Sequence, residues 1–70
     1  RDNDARASFL KALELNPDCV DAHVGLGQLS HKAGDPSAAA RHFRRALTLD
    51  PAKTEATAGL KKLATAEERP

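Results

Sequence analysis

Apolar residues recur along this chain at helical spacing, in stretches separated by turn residues. From Val20 to Ala33 they fall at Ala22, Leu26, Leu29 and Ala33, an i, i+4, i+7, i+11 series that predicts one face of a helix. Gly34 then stands as a helix stop and Asp35 as an N-cap. Pro36 takes the first position of the next helix, where its missing N–H costs nothing. That helix, about Ser37 to Leu49, turns Ala39, Phe43, Ala46 and Leu47 inward and Arg41, Arg44, Arg45 and Thr48 outward. Asn16-Pro17 and Asp50-Pro51 end helices, because proline disfavours helical geometry at the residue before it. The flanking helices are predicted over about Asn3 to Leu15 and Thr54 to Ala66. Connections this short make neighbouring helices antiparallel.

The chain also matches itself at an offset of 34 residues. Ala5 falls on Ala39, Phe9 on Phe43, Ala12-Leu13 on Ala46-Leu47, Leu15 on Leu49 and Pro17 on Pro51. Ala22 falls on Ala56, Gly25-Leu26 on Gly59-Leu60, Leu29 on Leu63 and Pro36 on Pro70, eleven identities over 36 overlaid positions. The matches are apolar, Gly and Pro positions while the charged ones vary, which is what a repeated packing unit leaves in a sequence.

Composition agrees with an all-α fold and removes several other classes. The large apolar residues are nine Leu, two Val and two Phe, with alanine making up half of the 40% hydrophobic fraction, so the core is small and helix-forming. Six β-branched residues in all, two Val and four Thr, argue against a sheet. Eleven basic and ten acidic residues give a net charge of +1, too even to select nucleic acid or a membrane surface. No stretch approaches the roughly 20 apolar residues of a membrane span. One cysteine, Cys19, forms no internal disulfide; a reducing compartment, hence the cytoplasm, is the expectation. With 70 residues, a single fold with little stability to spare is expected.

His23-x-x-Leu26-Gly27-x-x-Ser30, then Gly34, Ala39-x-x-x-Phe43, Ala46 and Pro51, resemble the tetratricopeptide repeat, TPR, whose helix-turn-helix unit is 34 residues long. The family pattern has Trp where this chain has His23 and Tyr where it has Ser30, which thins the core without changing the register. The resemblance implies an α-solenoid of stacked antiparallel helix pairs. Residues 3–15 would be the second helix of one repeat, 20–49 a full repeat, and 54–66 either the first helix of the next or a polar capping helix bearing Thr57, Lys61, Lys62, Glu67 and Glu68. Small residues would let the helices approach: Gly27 and Ala39 within the repeat, Ala46 at the stacking seam. Leu26, Phe43 and its counterpart Phe9 would fill the core, with Pro51 setting the turn. The open ends would allow stacking or self-association.

The resemblance further implies a non-catalytic scaffold that holds a protein or peptide in a concave groove lined by the first helix of each repeat. Here that stripe is Asp21, Val24, Gly25, Gln28 and Lys32, and one period later Glu55, Ala58, Gly59, Lys62 and Ala66. Gly25 and Gly59 suit close approach of a ligand backbone and equally suit helix–helix contact. The family's clamp on a chaperone's C-terminal carboxylate sets basic residues and asparagine where Val24, Gln28, Glu55 and Gly59 stand, so that capture is not expected.

Other chemistry finds little footing. Cys19 and His23 have helical i, i+4 spacing, but a structural zinc needs four ligands and His31 and His42 have no evident place beside them. Gly25-x-Gly27 lacks the third glycine and the preceding strand of a phosphate loop. Ser, His and Asp form no nucleophile motif, and no cofactor is expected. Arg41, Arg44 and Arg45 read as a solvated face, with phosphate binding the lesser alternative because no aromatic partner for base stacking accompanies them.

Overall fold

The computed structural model describes residues 2–67, with side chains described for 3–64; Pro70, Glu68 and the side chains of Ala66 and Glu67 lie outside that range. Four helices follow one another: α1 (Asp2–Leu15), α2 (Val20–Lys32), α3 (Pro36–Leu49) and α4 (Thr54–Glu67). The all-α solenoid expected from the sequence is what the chain forms. Helix α2 packs against α1, α3 and α4, and α3 packs against α2 and α4.

The turns behave as their residues dictate. At the end of α2, Gly34 takes φ +84, open to a residue without Cβ. The Gly34 N–H donates to the His31 carbonyl at 3.1 Å and the Asp35 N–H to that of Ser30 at 2.9 Å, closing the helix with a Schellman pair. Asp35 then caps α3, its carboxylate accepting from the Ala38 N–H at 3.2 Å, with Pro36 at the first turn. The two proline turns are copies of each other. Asn16 Oδ1 accepts from the Asp18 N–H and Asp50 Oδ1 from the Ala52 N–H, each at 3.1 Å. The Cys19 N–H donates to Asn16 O and the Lys53 N–H to Asp50 O, each at 3.0 Å. An Asx residue followed by Pro presets this turn twice, and so fixes the entry of α2 and of α4 alike.

Val24, Ala39, Phe43, Ala46, Ala56 and Leu63 form the core cluster, with Val20, Ala40, Leu47 and Leu60 against it. Leu26 is buried as well. Gly27 is also buried, and its missing side chain leaves room for the ring of Phe43. Two expected core members differ: Phe9 is half-buried and Pro51 exposed, its part confined to setting the turn. On α2 the buried face is wider than the expected stripe. It takes in Val24, Gly25, Gly27 and Ser30, while Ala33 is exposed, because three neighbours surround this helix instead of one.

Candidate functional site

Between α2 and α4 lies a cleft of about 440 Å³ lined by Gln28, His31, Phe43, Glu55, Ala58, Gly59 and Lys62. Helical spacing assembles it: Gln28 and His31 are one turn apart on α2, and Glu55, Ala58, Gly59 and Lys62 follow i, i+3, i+4, i+7 on α4. The Phe43 ring reaches it from α3, packed against Gly59 so closely that a Cβ there would lie 2.5 Å from the ring. The cleft thus has a floor of small residues, with the buried Phe43 ring behind it, between an amide, an imidazole and one charge of each sign. Glu55 sits in the first turn of α4, where a carboxylate suits the helix dipole.

Gln28, Glu55 and Lys62, expected in the groove, line this cleft together. Gly25 and Val24 do not, and both are corrected to packing positions. Val24 is 6% exposed and belongs to the core cluster. Gly25 is buried, and any Cβ on it would overlap the Phe9 ring, so its lack of a side chain serves contact between α1 and α2. Asp21 stands at the start of α2, away from the cleft, with Oδ1 2.6 Å from Lys53 Nζ; that hydrogen bond holds the Lys53 ammonium above its ordinary range. Lys32 is exposed at the end of α2 and is not among the cleft residues. His31, which the sequence weighs only as a metal ligand, lines the cleft as well, three residues beyond Gln28 on the same side of the helix. Arg41, Arg44 and Arg45 are exposed as expected, with the Arg45 guanidinium 3.7 Å from the Asp18 carboxylate.

A second polar cluster joins the turn before α2, α2 itself and α3. His23 Nε2 donates to the Pro17 carbonyl at 3.0 Å, and Nδ1 is buried with no hydrogen-bond partner among the described residues. The His42 ring is centred 6.0 Å away. Burial, with the nearby His23, Arg41 and Arg6, holds the His42 imidazole below its ordinary value of 6.5. The fold therefore favours the neutral form of His42. That contribution is complete above the ordinary value and is lost as pH falls through the lowered one. Thermal unfolding followed from pH 7.5 to 5.0 should show a falling midpoint, and His42→Gln should flatten the dependence; an unchanged slope in the variant would contradict this account. Among the described residues no three His, Cys, Asp or Glu side chains gather as a metal set, and no helix is long and apolar enough to cross a membrane.

No curated protein and no solved structure matches the chain significantly. The sequence profile described as tetratricopeptide repeat matches residues 3–54. Repeats of that family generally act as non-enzymatic scaffolds that bind protein partners. With its twofold proline turn, its Phe–Gly contacts repeated 34 residues apart and a profile match over most of its length, the chain belongs to the tetratricopeptide repeat family.

Proposed function

We propose that the α2–α4 cleft is where this scaffold seats a peptide or helix of a protein partner, with Gln28, His31, Glu55 and Lys62 making the polar contacts. Val20–Leu49 then acts as one full repeat, α1 as the second helix of the repeat before it and α4 as the first helix of the unit after it. The observation that carries the reading is the cleft itself: a floor of the small residues Ala58 and Gly59, backed by the buried Phe43 ring, inside a rim that presents an amide, an imidazole, a carboxylate and an ammonium. An extended peptide needs that combination, apolar contact for one side chain and donors and acceptors for its backbone. The arginine face offers less. Arg45 lies beside the Asp18 carboxylate, Phe43 is buried, and the Phe9 ring is packed on Gly25, so neither phenylalanine offers a stacking platform beside the arginines.

Peptides selected against the chain from a random display library should lose about tenfold or more in affinity, about 1.4 kcal/mol, when Gln28→Glu and Lys62→Glu are combined. Circular dichroism of that variant should be unchanged, since both side chains are exposed. Undiminished affinity in a folded variant would remove the cleft as the binding site.

A further inference from the structure

The polar groups of the α2–α4 cleft are sorted along its length. Helices α2 and α4 each run against α3, so they share one direction, and residues 34 positions apart stand at the same level. Gln28 and Lys62 share one level, with His31 about one turn beyond. Asp21 and Glu55 share the other, in the first turns of the two helices. One end of the cleft therefore presents an amide, an imidazole and an ammonium, and the opposite end a carboxylate. The small residues Ala58 and Gly59 lie between.

The two charges do not satisfy each other. Glu55 and Lys62 are seven positions apart on α4, about 10.5 Å along the axis and nearly on one line. Ion pairs along a helix form between residues three or four apart. Among the described residues neither Glu55 nor Lys62 is in a salt bridge, and both are exposed. The nearby Lys53 is engaged elsewhere, with Nζ 2.6 Å from Asp21 Oδ1. That pair also neutralises Asp21, so Glu55 is left to set the sign of its end of the cleft.

We infer that the cleft selects a dipolar peptide, carrying a carboxylate for the Lys62 end and an ammonium or guanidinium for the Glu55 end. This rests on the reading of the cleft as a peptide site and adds the chemistry of what it takes. The spacing also sets the ligand's conformation. A polyproline II segment returns to the same face every third residue at about 3.1 Å each, so charges three apart span about 9.3 Å. A β-strand turns residues three apart to opposite faces. A helix, about 10–12 Å across with a pitch of about 5.4 Å, would exhaust the cleft's 440 Å³ in about one turn, short of the two turns that separate the charges. The occupant is therefore acid-x-x-base, or base-x-x-acid in the reverse direction, with proline at x holding the extended form.

The probes are two capped hexapeptides, Ala-Glu-Pro-Pro-Lys-Ala and its reverse, titrated at low salt into the isotopically labelled chain. One of them should shift the amides of Ala58 and Gly59 saturably. Replacing either of its charged residues by Gln should weaken binding about threefold, the worth of one exposed charge pair. Two variants of the chain assign the ends. Lys62→Gln should abolish the response to the peptide's Glu and keep that to its Lys, and Glu55→Gln should do the opposite. No shift with either probe, equal binding of the Gln-containing peptides, or the same response in both variants overturns the inference. Selection from a random library keeps the two readings apart. Selected peptides that depend on Gln28 and Lys62 yet carry no opposed charges would sink the dipolar ligand and leave the cleft as the binding site. Selected peptides indifferent to the cleft would remove the site itself.

Discussion

The Phe43→Ala variant is expected to lose about 3–5 kcal/mol of unfolding free energy, enough to leave much of a domain this size unfolded at room temperature. The ring is 1% exposed and belongs to one core cluster with Val24 of α2, Ala39 and Ala46 of α3, and Ala56 and Leu63 of α4. Its nearest walls are Gly27 and Gly59, which have no side chains to relax into the void. The cost therefore belongs at the upper end of the range for large-to-small changes. Phe9→Ala removes the same atoms from a half-buried site and should cost clearly less. Urea denaturation of both variants measures the gap. Equal losses would mean that the two rings are covered alike, contrary to the burial described here.

Gly27→Ala is expected to destabilise the chain by about 1–3 kcal/mol, against the local preference of a helix. Alanine is the better helix former by about 0.8–1.0 kcal/mol, so in an exposed helix the change would stabilise. Here the new methyl would lie 2.7 Å from one ring carbon of Phe43 and 2.9 Å from two others, and Gly59 blocks the ring's retreat on the far side. The decisive comparison is the same substitution made on Phe43→Leu. With the flat ring gone, the methyl occupies vacated space and the helix preference shows through, so the sign should reverse. A double-mutant cycle should return a coupling above about 0.5 kcal/mol. Additive effects would show that ring and glycine are not in contact.

The helices were legible because each is bounded by residues with one stereochemical use. Gly34 supplies the positive φ, Asp35 the cap, and the two Asx-Pro pairs the turns, so little depends on distant contacts. The core was legible at Phe43, Ala39 and Ala46 for the same reason that the period was. The candidate site was harder. A stripe read from spacing alone placed Val24 and Gly25 with Gln28, and spacing does not tell a helix touched by three neighbours from one touched by two. Glycine is ambiguous in the same way: absent side chains admit a ligand or an aromatic ring equally well, and only the position of Phe9 decides between them at Gly25. His31 lies outside the stripe that spacing gave for α2, and only the packing of α4 beside α2 brings it next to Glu55 and Lys62 in one cleft.

The shortness of the turns has a kinetic consequence. Helices that touch are neighbours in the chain or next but one, so every contact closes over a modest length of polypeptide. Folds of that kind search little and assemble in microseconds to milliseconds. Ordering can begin at any helix pair and spread outward. The pair α2–α3, which encloses the ring of Phe43 from the preceding side, is the natural seed, and α1, the least covered, the first element to detach when the chain begins to open.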